Sequence, residues 1–149
     1  MSFKLVAQDK SFGLRTGLET NYTGINALLN GVYEINNHTL ELGINYNLVD
    51  GFSNSPVIGQ NFSYSYTLAK RNKLSTFIGF EYRRQKPIKI VNVQLIMYSM
   101  GMEYKFTEHI TAHSKVGYGV AAERALSSQS FSQSNILTGY FQLGCGYQF

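Results

Sequence analysis

From Phe12 to the carboxyl end, the chain alternates between greasy and polar positions with a period of two. A β-strand sends successive side chains to opposite faces, so each alternating run reads as a strand with one apolar face. Eight such runs are bounded by turn residues. The first runs from Phe12 to Tyr22, with Phe12, Leu14, Thr16, Leu18, Thr20 and Tyr22 on one face. The second runs from Ala27 to Ile35 and carries Leu29, Gly31 and Tyr33 on that face. The third has Leu40, Leu42, Ile44, Tyr46 and Leu48, and the fourth Phe62, Tyr64, Tyr66 and Leu68. The fifth has Leu74, Thr76, Ile78, Phe80 and Tyr82, and the sixth Ile96, Tyr98, Met100, Met102, Tyr104 and Phe106. The seventh has Ile110, Ala112, Ser114, Val116, Tyr118 and Val120. The eighth has Leu137, Gly139, Phe141, Leu143, Cys145, Tyr147 and Phe149.

The connections alternate in length. Asn36-Asn37-His38, Lys70-Arg71-Asn72-Lys73 and Thr107-Glu108-His109 are tight turns. On the other rim the expected connections are longer, apart from Thr23 to Asn26. They run from Val49 to Gln60, with Asp50-Gly51 and Pro56, from Arg84 to Lys89, with Pro87, and from Ala121 to Asn135, rich in Ser and Gln. Short turns on one rim, longer loops on the other and both termini on the short-turn side describe a transmembrane barrel. The first eleven residues read as a tail or an extra strand segment.

Charge decides which face meets the solvent. The chain has 13 Lys and Arg and 9 Asp and Glu. None of them falls on the greasy face of any strand. Arg15, Glu19, Glu34, Glu41, Glu81, Arg83, Glu103, Lys105 and Lys115 all take the opposite parity, together with Asn21, Asn30, Asn45, Asn47, Asn61, Ser63, Ser65 and Thr67. A soluble barrel would turn the greasy face inward, and a membrane barrel turns it outward. Three features favour the membrane form. Tyrosines cluster near the strand ends of the greasy face: Tyr22, Tyr46, Tyr82 and Tyr118 toward the loops, and Tyr33, Tyr66, Tyr104 and Tyr147 toward the turns. Aromatic girdles of this kind mark membrane interfaces. An eight-stranded barrel is barely wide enough for its own side chains, so this many Tyr and Phe would overpack it. The opposite face carries both signs of charge, so Arg15, Glu19, Glu34, Glu41, Glu81, Arg83, Glu103 and Lys115 can pair as an internal network. The expected fold is therefore all-β, an eight-stranded antiparallel up-and-down transmembrane β-barrel forming one domain over residues 1–149.

Composition agrees. The chain has 11 Tyr, 10 Phe and 14 Gly but only 2 Pro and no Trp. Its mean hydropathy is slightly negative, as expected when a polar lumen dilutes a lipid-facing wall. No apolar run is long enough for a membrane-spanning helix. The net charge of +4 is spread over turns and strand ends, so nucleic acid is not an expected partner. One cysteine, Cys145, excludes an intramolecular disulfide, and by parity it faces lipid as a small apolar residue. Residues 1–8 hold no apolar core of the length of a secretory signal, so export implies a leader removed or replaced before this numbering begins.

The terminal segment Gly144-Cys145-Gly146-Tyr147-Gln148-Phe149 resembles the C-terminal assembly signal of bacterial outer-membrane β-barrels, with Leu143, Tyr147 and Phe149 on the greasy face. The stretch Gly101-Met102-Glu103-Tyr104-Lys105-Phe106-Thr107-Glu108-His109, with Val116-Gly117-Tyr118-Gly119 after it, resembles the strand–turn–strand repeats of small outer-membrane barrels of the OmpA, OmpX and opacity type. The resemblance implies export to the bacterial outer membrane, insertion by the barrel-assembly machinery, and lipopolysaccharide as a neighbour. It implies no single activity.

Catalytic candidates are few. His38 and His109 lie in tight turns and read as solvated. Small outer-membrane lipid A deacylases place a His and a Ser two apart on a lipid-facing strand. His113 and Ser114 are adjacent here, so they point to opposite sides of the wall and make no nucleophile–base pair. Glu123 and Arg124 read as loop charges. No metal spacing or phosphate-cradling loop stands out, and no cofactor is expected. Arg83, Arg84, Lys86 and Lys89 cluster near the loop rim, where anionic lipid contact and an ordinary solvated loop are equally good readings. A wide pore does not fit eight strands. The expected role is a non-enzymatic structural or accessory module of a larger outer-membrane complex. A lipid A hydrolase and a small adhesin are the alternatives.

Overall fold

The computed structural model describes residues 10–48, 57–88, 91–126 and 131–149. It contains eight strands: β1 (Lys10–Asn21), β2 (Gly24–Ile35), β3 (His38–Asn47), β4 (Val57–Arg71), β5 (Leu74–Ile88), β6 (Val91–Lys105), β7 (Ile110–Leu126) and β8 (Phe131–Gln148). Each pairs antiparallel with the next, and β8 returns to β1 to close the barrel. Closure pairs β1 with β8 from Gly13↔Gln148 to Thr20↔Phe141, so the lower wall has no free sheet edge, which lipid requires. The turn-side hairpins are tight because Asn36 and Asn72 take positive φ (55° and 52°), a conformation asparagine tolerates.

Parity is as the pattern dictates. Leu42, Tyr98 and Leu137 point outward and stay 65, 76 and 67% exposed. Charged residues at neighbouring positions are buried in the lumen: Glu41 and Lys115 are only 1 and 2% exposed. A continuous apolar exterior of this extent is untenable in water but is the expected exterior of a wall in lipid.

The loop side differs from expectation. Arg84 to Lys89 and Ala121 to Asn135 are largely strand. β5 runs on through Ile88, β6 opens at Val91, β7 continues to Leu126 and β8 opens at Phe131. The expected loop from Val49 also ends earlier, since β4 opens at Val57. Lys10 and Ser11 belong to β1. Residues 1–9, Asp50, Gly51, Pro56 and Lys89 lie outside the described residues. The physical reason lies in the period. The greasy-outside pattern stops where the wall leaves lipid, but the backbone ladder does not need lipid to continue. β7 and β8 reach 17 and 18 residues, whereas a tilted span needs only about 9–11. β5 to β8 therefore form a wall that rises on one side of the barrel, while β1 to β3 have 10 to 12 residues.

Candidate functional site

The lumen is built from the charged positions of six strands. Arg15 of β1 contacts Glu34 of β2 at 3.0 Å, Glu41 of β3 at 2.7 Å, and Glu103 of β6. Glu41 also accepts from Lys115 of β7 at 2.7 Å, and Lys115 lies 3.7 Å from Glu81 of β5. Arg83 joins Glu81 to Glu19. Charges therefore alternate in one chain along the lumen: Glu34, Arg15, Glu41, Lys115, Glu81, Arg83, Glu19. The ladder holds five carboxylates against three cations, and neutral donors take up the surplus. Gln148 donates to Glu34 at 2.8 Å, Asn30 to Glu41 at 2.8 Å, Tyr140 to Glu81 at 2.6 Å and Asn21 to Glu19 at 2.8 Å. The eight residues expected to form a network are thus brought into one. A buried network needs this saturation, because a buried charge that loses its partner costs about 3–5 kcal/mol.

The lumen is not polar throughout. Toward the loop rim, Val93, Leu95, Met97, Ala121 and Tyr140 form a buried apolar cluster, with Tyr22 and Val91 packed against it. Leu28, Val32 and Phe77 are also buried. These residues were missed because a polar lumen was expected to extend the full height. A signal was present: Val93, Leu95 and Met97 form their own apolar alternation, opposite in parity to Ile96, Tyr98 and Met100. Tyr140 joins the two halves. Its hydroxyl binds Glu81, and its ring lies 4.4 Å beneath the Arg83 guanidinium.

Two assignments are corrected. Tyr22 was expected in the outer girdle. It follows the last residue of β1, where strand parity ends, and packs against the internal cluster instead. Burial, and after it the charge of Glu123, pushes its phenol up to about 12. Arg83 was expected among the anionic-lipid contacts, but it is buried in the ladder. Arg84 has the outward parity, and Lys86 lies near it at the rim. Tyr33, Tyr46, Tyr66, Tyr82, Tyr104, Tyr118 and Tyr147 lie on the outer face.

The turn histidines have partners that the sequence did not reveal. His38 binds the Tyr64 hydroxyl at 2.7 Å and stands edge-on to Tyr66 at 5.2 Å. His109 binds the Gln148 carbonyl at 2.8 Å and stacks on Tyr147 at 5.6 Å. His113 is buried in the lumen against Gln142 at 3.1 Å, while Ser114 takes the outward parity. No group of three or more metal-ligating side chains occurs among the described residues. On the outer wall, where β8 meets β1, small residues leave a groove of about 720 Å³ lined by Thr16, Ala27 and Cys145 between Leu18, Phe141 and Leu143. Its lipid-facing lining is apolar and offers acyl chains a surface, with no nucleophile–base pair.

Solved structures share this architecture. The N-terminal β-barrel domain of Pseudomonas aeruginosa OprF superposes with a TM-score of 0.64 at 12% identity, covering 95% of this chain and 99% of that one. The outer membrane protein AlkL, solved in lipid bilayers, gives 0.57 at 10% identity over 100% and 94%. A major outer membrane protein of Thermus thermophilus gives 0.52 at 16% identity over 94% and 99%. The chain has the outer-membrane β-barrel fold. An outer-membrane barrel with a lipid-facing wall on every strand has its place in that membrane. At these identities the likeness concerns fold and carries no activity. No protein-family model matches the sequence, and no curated protein is similar to it.

Proposed function

We propose that this outer-membrane barrel is a closed, non-catalytic structural module that serves as a membrane-embedded subunit or anchor rather than a channel or enzyme. The reading rests on one observation: the lumen is occupied by the charge ladder from Glu34 to Glu19 and, above it, by the apolar cluster around Leu95 and Met97. On this reading the two fillings leave water no continuous path. The ladder's charges pair with one another and with neutral donors, and beside the cluster Gln85 is buried and bonded to Thr23. The opposite parity of His113 and Ser114 supports a non-catalytic role.

The test is reconstitution into planar bilayers. The expected result is no steady conductance at moderate voltage, and a stable, large pore overturns the proposal. Extraction in mild detergent then asks for the accessory role, which expects a stoichiometric outer-membrane partner. A barrel that stays alone under all mild conditions argues for a free-standing structural protein.

A further inference from the structure

The wall raised by β5 to β8 changes character at one row. Tyr82, Ile96, Val120 and Leu137 are cross-strand neighbours and form the last apolar row of the outer face. The next outward row is Arg84, Gln94, Ala122 and Asn135. Beyond it Asn92 pairs with Arg124, and Lys86 lies two residues after Arg84 on β5, at the register shift between Gln85 and Ile88. On the inner face Val93, Leu95 and Ala121 are buried, and the row of Val93 continues through Gln85 on one side and Glu123 and Ser134 on the other. The outer face of the wall thus turns from apolar to polar at this row, the change expected where a sheet leaves the bilayer.

We propose that Arg84, Lys86 and Arg124 form a binding site for the phosphates of lipopolysaccharide on the outer face of this wall. Three features carry it. First, the cations lie immediately above the last lipid-facing row, at the level of head-group phosphates. Short turns face the periplasm in this architecture, so the raised wall stands on the outer side. Second, the site is prearranged. The Arg84 Nε donates to the Asn92 Oδ1 at 3.1 Å, and Asn92 is the cross-strand partner of Arg124. That bond draws the Arg84 head toward Arg124 and leaves its terminal nitrogens for a phosphate, which a guanidinium grips with two parallel bonds. Third, no carboxylate shares this part of the outer face among the described residues. Glu81 is in the ladder, and Glu123 has the inward parity. Three cations set among neutral amides, without an acid, match an anion and not a protein surface of mixed charge. Arg83, adjacent in sequence, takes no part.

The test uses the full chain in detergent and fluorescently labelled rough lipopolysaccharide, with binding read by anisotropy. The wild type is expected to bind. The variants R84A, R84A/R124A and R84A/K86A/R124A are expected to weaken binding roughly fivefold per cation removed, corresponding to about 1 kcal/mol for each basic residue near an anionic surface. These residues lie outside both the lumen and the lipid-facing band, and heat-modifiable migration verifies that each variant is folded. Enzymatically dephosphorylated lipopolysaccharide should lose the same affinity on the wild type. Undiminished binding by the triple variant, equal binding of the dephosphorylated lipid, or no binding by the wild type overturns the site. Equal occupation by inorganic phosphate at matched concentration overturns the assignment to lipid.

Discussion

The ring of Tyr140 lies over Gly117, its cross-strand partner on β7, so the largest side chain of the upper lumen occupies the space that a glycine leaves. The relationship recurs. Phe77 lies over its partner Gly101, and His113 over its partner Gly144. An eight-stranded lumen cannot hold a large residue at every inward position. It holds these three because the neighbouring strand supplies no side chain beside each. Tyr140 then reaches Glu81 with its hydroxyl and Arg83 with its ring face, tying the apolar cluster to the ladder.

Gly117→Val should therefore act through Tyr140. A branched side chain there displaces the ring and breaks the bond to Glu81. The expected loss is about 1–3 kcal/mol, the usual cost of overpacking. It should appear as a lower urea midpoint for the detergent-folded barrel. Combining it with Tyr140→Ala should recover part of the loss, because the clash disappears with the ring. Strictly additive effects would mean that the two residues are not coupled.

Arg15 is the most connected cation of the ladder, held by Glu34, Glu41 and Glu103. Arg15→Met should cost about 3–5 kcal/mol, since it leaves buried carboxylates without their counter-charge. Adding Glu103→Gln should return part of that cost by removing one stranded charge. The measurement is unfolding in urea at neutral pH. A single variant as stable as the wild type would show that the lumen admits enough water to solvate the carboxylates.

The strand count, the parity of nearly every residue and the tight turns were legible in the sequence, because one rule set them all: no charge may face lipid. That rule is silent where lipid is absent. Ala121 to Asn135 therefore read as a loop although most of it is strand, and Arg84 to Lys89 likewise. The inward set of Val93, Leu95 and Met97 alternates as cleanly as the outward set of Ile96, Tyr98 and Met100. Period two alone cannot say which of two apolar faces is the lipid face, and depth in the membrane decides. Tyr22 was misplaced for a related reason, since parity has no meaning one residue past the strand end. The ion pairs were legible only as a set. Which glutamate meets Arg15 depends on stagger between strands, and stagger leaves no mark in the alternation.

The boundary of the lipid band is open to a direct test. Val116→Arg places a charge on the outer face near mid-depth, between its partners Met100 and Phe141. It should cost about 2–4 kcal/mol in a lipid bilayer. Ala122→Arg lies on the same strand and parity, one row beyond the last apolar row, and should cost only about 0–1 kcal/mol. The comparison is made by reversible unfolding in lipid vesicles. Equal costs would mean that the wall of β5 to β8 does not leave the membrane at the Tyr82 row.

Phe149 is expected to matter for assembly more than for folded stability. Its backbone nitrogen donates to the Phe12 carbonyl at 2.9 Å, and its ring meets Tyr147 edge-on at 5.4 Å. The side chain is still 73% exposed. Its loss should therefore remove at most about 1–3 kcal/mol, the contribution of one buried aromatic. A closed barrel with ladders on all eight seams should survive that. If the terminal aromatic is instead read by the insertion machinery, deletion acts on a recognition step and can abolish insertion altogether. Deleting Phe149 should sharply lower the amount of inserted protein in cells, while refolding from urea into detergent stays efficient. Equal loss by both routes would make the residue structural and remove the main support for an assembly signal at this end of β8.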